Sequence, residues 1–392
     1  MTSQTISMGA TNMSLRYQIC SRCVMDTSDP EITFDESGVC NHCHAHEATL
    51  ARQVLSGSEG RARLDALAAE IKRAGSGKSY DCIIGVSGGV DSTYTAWLVK
   101  QLGLRPLAVH LDNGWNSEIA VKNIANALER LKIDLHTHVI DWDEYRDIQR
   151  AFLLASVPDV EVPSDHAILA CLYQTAAKHR IGAIISGQNE STESHLPRAW
   201  SQGHIDYGYI HDVHKIYGSG RVKTFPRQGF RQYLQHLRSG IDVLCALNYV
   251  DYTREGALEV IQRELGWRDY GGKHHESVFT RWYQGCYLPR KFGYDKRRMH
   301  LSSLVSSGQM TRDKALAALQ PPPYDEKLQD EDCIYVAKKL GFSKTEFDAI
   351  MTAPPRRFDD FHSYVKMLDS PAFRAARKLR RVIRSYVGAG AA

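Results

Sequence analysis

Two groups of residues in this chain have the types and spacing to do chemistry. The first is Ser87-Gly88-Gly89-Val90-Asp91-Ser92, which follows the apolar run Cys82–Val86. Beyond it a helical pattern begins, with Tyr94, Trp97 and Leu98 on one face. A strand, a Gly-Gly turn and a helix N-terminus together make an anion cradle. The glycines let a phosphate approach the backbone, successive N–H groups point at it, and the helix dipole adds attraction. Ser87 and Ser92 add hydroxyl donors, and Asp91 is placed to hold Mg²⁺. The second group is Cys20-x2-Cys23, followed after sixteen residues by Cys40-x2-Cys43. Two such knuckles supply four thiolates to one tetrahedral ion, and Gly38 suits the turn into the second. Structural zinc contributes on the order of 10–16 kcal/mol in small peptides, enough to fold a segment with almost no core. Zinc is expected here in a structural role, because four thiolates already close the site without His42, His44 or His46.

Further candidates lie around these two. The stretch Gly266–Ser277 concentrates turn and titratable residues. Its Lys273, His274 and Glu276 suit a base that deprotonates ammonium, or groups that stabilise a developing charge. In the basic run that follows, Lys291, Arg297 and Arg298 are expected to clamp phosphates of a charged ligand. Asp112 and Gly187 each end an apolar run, at the carboxyl edge where open α/β sheets bind ligands. Gly75-Ser76-Gly77-Lys78-Ser79 imitates a Walker A loop but reads as linker, since Lys72 stands where the pattern needs glycine and a strand follows. Arg374, Arg377, Lys378, Arg380, Arg381 and Arg384 read as a solvated helix face before a polyanion site.

The elements that must position these residues are legible from texture. At 392 residues the chain is long enough for two or three domains. Its net charge, 49 − 45 = +4, is too small to argue for nucleic acid. No apolar run approaches the roughly 18 residues that span a bilayer, and the first residues lack a basic, then apolar, signal pattern. The expectation is a cytoplasmic protein, in which paired cysteines mean metal before disulfides. Residues 1–16 read as a flexible tail, 17–48 as the zinc ribbon and 49–79 as a helical connector with Leu64, Leu67, Ala68 and Ile71 on one face. From 80 to 235 short apolar runs (Cys82–Val86, Leu107–Leu111, His136–Ile140, Ala183–Ile185) alternate with amphipathic helices. One helical face is traced by Val121, Ile124, Ala125, Leu128 and Leu131, another by Ile168, Leu172, Tyr173 and Ala176. That alternation predicts α/β architecture, a parallel sheet with helices on both faces. Residues 236–392 read as a mainly helical substrate domain.

SGGVDS after a strand resembles the signature of the PP-loop ATP pyrophosphatases, whose fold is adenine nucleotide alpha hydrolase-like. The resemblance implies ATP cleavage between the α- and β-phosphates, with Ser87, Gly88, Gly89, Val90, Asp91, Ser92, Asp112 and Gly187 around the nucleotide. Over nearly its whole length the chain further resembles the N-acetyl sugar amidotransferases of bacterial surface-polysaccharide and lipopolysaccharide (O-antigen) synthesis. The motifs are CSRCVMDTSDPEITFDESGVCNHC, the PP-loop, GWRDYGGKHHES and LPRKFGYDKRRMHLSSLVSSGQMTRDKAL, in that order. This implies conversion of an acetamido group on a nucleotide-linked sugar to an acetamidino group, using ATP and Mg²⁺. It also implies ammonia supplied by glutaminase and cyclase-like proteins, which agrees with the lack of a glutaminase motif here. A homo-oligomer is compatible with this reading. Cys286 and the stretch GQNESTE depart from the expected pattern and leave the sugar and its carrier open. The rival expectation is a zinc-ribbon tRNA thiolase, with Cys171 or Cys286 carrying sulfur or ligating an Fe–S cluster. A non-catalytic scaffold, with the ribbon as its docking surface, is the other. Cys82 reads as core packing.

Overall fold

The computed structural model describes residues 17–273, 275–365 and 370–371. His274, the expected tail 1–16 and the cations from Arg374 to Arg384 lie outside the described residues. The centre is a five-stranded sheet: β1 (Cys82–Gly85), β2 (Pro106–Asp112), β3 (Asp134–Val139), β4 (Ala183–Ser186) and β5 (Asp242–Cys245). The order is β3-β2-β1-β4-β5, and every pairing is parallel. The chain runs outward from β1 to β3, then returns to the other side of β1. The connections therefore diverge between β1 and β4, which opens a crevice at their carboxyl ends.

Strand side chains alternate between faces, and in the inner strands β1, β2 and β4 both faces are largely buried. Ile83, Leu107, Val109 and Ile184 enter one core cluster. Cys82, Ile84, Ala108 and Ile185 enter the other, which confirms Cys82 as packing. The helices that cover the sheet match the expected segments, but two are rotated. In the helix Glu118–Leu131 the buried residues include Ala120, Asn123, Ile124 and Leu128, while Val121 is 49% exposed. Asn123 is drawn inward because its amide donates to the Arg268 carbonyl (2.8 Å) and accepts from the Arg268 N–H (2.9 Å). In the helix Val162–Lys178, His166, Ala167, Ala170 and Cys171 face inward and Ile168 is 40% exposed. The last strand, β5, lies past residue 235, in the segment expected to be mainly helical. It is a four-residue edge strand with Val243 47% exposed, too short for an alternating signal.

His166 gives the fold an acid limit. Its Nδ1–H donates to the His204 carbonyl (2.9 Å) and its Nε2 accepts from the Gln228 N–H (3.0 Å), so the buried ring is neutral. Burial brings its pKa down from 6.5 to about 4. Between those values the unfolded chain binds a proton that the folded chain does not, so stability falls as pH drops from 6.5 towards 4. The expected loss at pH 4 is about 3 kcal/mol. Urea midpoints measured across that window should fall for the native chain and fall less for His166→Gln.

The N-terminal segment packs on the C-terminal helices. Cys20, Cys23, Met25, Ile32, Cys40 and Cys43 share a small core with Trp200 and Met299. Helices Asn41–Gln53 and Gly57–Ala74 follow, the second burying Leu64, Ala68 and Ile71. Its end, Gly75, begins the Walker-like stretch, which is a turn: Lys78 Nζ donates to the Arg180 carbonyl. No described helix is long and apolar enough to cross a membrane.

Candidate functional site

The Ser87–Ser92 loop, the expected phosphate cradle, sits at the β1–β4 crevice. Gly89 caps the helix Val90–Gln101. Gly88 has φ +82, and a Cβ there would lie 2.6 Å from the Ala120 carbonyl oxygen, so only glycine fits. A Cβ on Gly187, just after β4, would lie 3.0 Å from the Asp91 carbonyl carbon, so β4 ends directly against the loop. Within the loop Ser87 Oγ and Ser92 Oγ are 3.2 Å apart, and the Gly89 N–H donates to Ser87 Oγ. Asp112 ends β2, and its carboxylate accepts from the Gly114 N–H (2.9 Å). The indole of Trp267 fixes the turn from outside, its Nε1–H donating to the Gly88 carbonyl (2.8 Å). Trp267→Phe leaves that carbonyl without its donor, at about 1–2 kcal/mol. ATP binding should weaken about tenfold, which equilibrium titration with a fluorescent ATP analogue checks.

Around Asp91 the structure gathers groups from three distant parts of the chain. Tyr252, buried, donates its hydroxyl to Asp91 Oδ1. Lys273 Nζ lies 4.0 Å from Asp91 Oδ2 and 3.0 Å from Glu193 Oε1. Glu276 faces the same space: its Oε1 lies 3.3 Å from where a Cβ on Gly89 would stand. Tyr270 hydrogen-bonds to Glu276. Burial, then the neighbouring carboxylate, pushes the phenols of Tyr252 and Tyr270 far up, so both stay protonated donors. The backbone of the segment is pinned as well, with the Ser117 N–H donating to the Glu276 carbonyl (2.8 Å). Asp91 and Glu193 are hard oxygen donors flanking a cation, a set that fits Mg²⁺ shared with substrate phosphates. Of the expected residues, the structure brings Asp91, Ser92, Lys273 and Glu276 to this crevice; Glu193, Tyr252 and Trp267 join them without having been singled out in the sequence. Glu193 closes the stretch GQNESTE, six residues after Gly187.

Lys273 also lines a pocket of about 260 Å³ that opens beside the loop. Arg254, Arg281, Lys296 and Arg297 contribute four more cations, with His275 and His300. Leu301, Leu304, Ala318 and Pro323 give it an apolar side. Arg281 is held by Asp332 through two hydrogen bonds (2.8 and 2.7 Å). Lys296 stands 4.8 Å from the Tyr283 ring centroid. Among the three basic residues expected to clamp a ligand, the structure brings only Arg297 to the pocket. Its guanidinium is shared with Asp295 (2.7 Å) and with the Pro321 carbonyl (2.8 Å). Lys291 instead donates to the carbonyls of Ile350 and Ala353, closing the end of the helix Lys344–Thr352. Arg298 binds Asp26 (3.0 Å) and the Val24 carbonyl (2.7 Å), a clamp on the N-terminal segment. Both charges are spent inside the fold. Free backbone carbonyls and a buried carboxylate compete for long cations, and spacing alone does not reveal which wins.

The four N-terminal cysteines are buried, and their sulfurs lie within 4.8 Å of one another. The sulfurs of Cys23 and Cys40, Cys40 and Cys43, and Cys20 and Cys43 are 3.6, 3.7 and 3.9 Å apart. Zinc–sulfur bonds of about 2.3 Å put the corners of a tetrahedron about 3.8 Å apart, so the cluster fits the ion. Three helix-borne groups hold it from the C-terminal side. Arg312 donates to the carbonyls of Cys20 and Cys23, Ser302 Oγ accepts from the Val24 N–H, and Arg298 is the clamp already described. On the other side His46 hydrogen-bonds to Ser194, the residue after Glu193.

Residues 276–377 match the model of a family described as LPS biosynthesis protein WbpG-like, C-terminal domain. No curated protein matches the chain. Among solved structures, the chain is similar to NMN synthetase from Francisella tularensis at 16% identity, with 57% of this chain and 91% of that chain covered and a TM-score of 0.28. It is also similar to a predicted subunit of tRNA methyltransferase from Methanocaldococcus jannaschii DSM at 13% identity. There 46% of this chain and 74% of that chain are covered, with a TM-score of 0.27.

Proposed function

We propose that this chain, WbpG-like over its C-terminal segment, is an ATP-using enzyme of lipopolysaccharide biosynthesis. Its reaction in this reading converts the acetamido group of a nucleotide-linked sugar to an acetamidino group. The observation that carries the proposal is the meeting of two anion sites at Lys273: the phosphate loop on one side and the cationic pocket on the other. A single phosphorylated ligand needs one such site. A reaction between ATP and a second anionic substrate needs two that touch.

The roles follow from position. The loop N–H groups, Ser87 and Ser92 hold the β- and γ-phosphates, which leave as pyrophosphate. Asp91 and Glu193 would hold Mg²⁺, which would supply neutralising charge at the phosphates. The sugar's amide oxygen attacks the α-phosphorus, giving an adenylated imidate, and Lys273 stands where charge develops. Ammonia then adds to the imidate carbon and AMP departs. Glu276 accepts the proton shed by ammonium, with His274 beside it in sequence. Arg254, Lys296 and Arg297 hold the carrier's phosphates, and the apolar side of the pocket seats the acetamido methyl. Ammonia arrives from glutaminase and cyclase-like partner proteins in the cytoplasm, and the ribbon zinc stays structural. Cys171 lies in the sheet core and Cys286 is fully buried, and neither lines the pocket, which favours this reading over the tRNA thiolase.

The test is turnover. Purified protein is incubated with Mg-ATP, ammonium and a panel of nucleotide-linked acetamido sugars, and AMP, pyrophosphate and sugar mass are followed. Sugar-dependent AMP release with the small mass decrease of O replaced by NH is the expected result. AMP release that needs unmodified tRNA and a sulfur donor instead would sink the proposal.

A further inference from the structure

Outside the four-thiol cluster, one pair of thiols among the described residues is in contact: Cys286 Sγ and Cys333 Sγ are 3.2 Å apart, and both are free. The other cysteines make no such pair. Cys82 and Cys171 are buried in separate cores, and Cys245 lies on the edge strand. Cys286 is fully buried, whereas Cys333 is half-buried on the helix Glu326–Leu340. Their neighbours are the pocket wall. Cys286 belongs to the π-helical turn Tyr283–Tyr287, of which Gln284 and Gly285 line the pocket. Gly285 has no slack, since a Cβ there would lie 2.5 Å from the Tyr324 ring. Cys333 directly follows Asp332, the residue that clamps Arg281 into the same wall.

We propose that Cys286 and Cys333 form a redox modification site, which a low-molecular-weight disulfide closes to a protein disulfide that reshapes the pocket wall. Cys333 is the attacking thiol, being the more accessible; the hydrogen bond from Cys286 also holds it below the ordinary thiol range. Its thiolate attacks one sulfur of the small disulfide RSSR, giving a mixed disulfide and RS⁻. Cys286 then loses its proton and attacks the Cys333 sulfur, expelling the second RS⁻. Two protein thiols are oxidised and one RSSR is reduced to two RSH. Closing the sulfurs to about 2.05 Å draws the π-helical turn and the Cys333 helix together by about 1 Å. That carries Arg281, Gln284 and Gly285 with it. A displacement of that size at positioning groups is expected to lower kcat/KM for the sugar about tenfold or more. ATP binding at the loop is expected to stay within twofold.

The change in rate rests on the reaction proposed above; the thiol chemistry does not, so the two are read separately. Zinc-loaded full-length protein is treated with oxidised glutathione, denatured, alkylated and mapped by peptide mass. The expected result is one Cys286–Cys333 cross-linked peptide lacking two hydrogens, reversed by dithiothreitol, with Cys82 and Cys171 alkylated. Cys333→Ser, or Cys333→Ala if serine destabilises the chain, should abolish the cross-link and leave Cys286 unoxidised. Alkylation of both cysteines after treatment, or a glutathione adduct on Cys333 that never resolves, overturns the site. A cross-link that forms without changing sugar kcat/KM in an active enzyme overturns the effect on the pocket. Absence of turnover in the reduced protein instead indicts the proposed reaction and leaves the mapping standing.

Discussion

Asp91→Asn is expected to lower sugar-dependent AMP formation about a hundredfold while leaving the protein folded. The carboxylate sits at the start of the helix Val90–Gln101, accepts from the Tyr252 hydroxyl and faces Lys273 at 4.0 Å. Asparagine keeps the shape and one acceptor for Tyr252 but loses the charge that pairs with a divalent cation. A metal's charge at a phosphoryl group is worth several kcal/mol in the transition state, and about 2.7 kcal/mol is already a hundredfold in rate. The stability cost is smaller, because Lys273 retains Glu193 at 3.0 Å. Steady-state AMP release should therefore fall with little change in the thermal midpoint, and raising Mg²⁺ should recover part of the loss. The same variant separates enzyme from scaffold. A protein that only docks others has no reason to place Asp91 and Glu193 around one lysine, and it would lose nothing on this substitution.

How much of this was legible in the sequence depends on the range of each contact. The strand, loop and helix from Cys82 to Gln101 are a local pattern, and they stand where the pattern puts them. The paired cysteines are local too, since the two thiols of each knuckle are separated by only two residues. The order of the sheet was not legible: nothing in β4 announces that it pairs with β1, yet that pairing brings Gly187 against Asp91. The pocket was the least legible part. Arg254, Arg281 and Lys296 come from separate helices and loops, and each alone looks like any surface cation. Conversely, Lys291 and Arg298 looked like ligand clamps because they are clustered in sequence, but the fold offers them carbonyls and a buried Asp26 instead. Helix faces failed where a polar residue took the inner position. Asn123 and His166 are buried because backbone groups satisfy them, and hydrophobic periodicity cannot see such partners.

Removing the metal is expected to be the more damaging experiment, because the ribbon braces the pocket as well as itself. Among the described residues the four thiols share a small core with Met25, Ile32, Trp200 and Met299, rimmed by the partly buried Phe34, Val39, Ala199 and Tyr294, too little apolar surface to hold the segment unaided. Without the ion, or in Cys40→Ser, the carbonyls of Cys20 and Cys23 move away from Arg312, and Val24 and Asp26 from Arg298. That strips partners from two guanidinium groups on the helices that wall the pocket. The loss extends to the other side, where the helix Asn41–Gln53 reaches Ser194 through His46. Ser194 follows Thr192 and Glu193, so the backing of the Lys273 contact loosens with it. The expected cost is about 4 kcal/mol or more, a fall of about 5–10 °C in the thermal midpoint for a chain of this size. Chelation should release one zinc per chain, by elemental analysis, with that fall in midpoint. The sugar KM should rise more than the ATP KM, because the phosphate loop is anchored on the sheet and the pocket on the braced helices. A metal-free protein that keeps its midpoint and both KM values would make the ribbon an independent module, and would remove it from the account of the site.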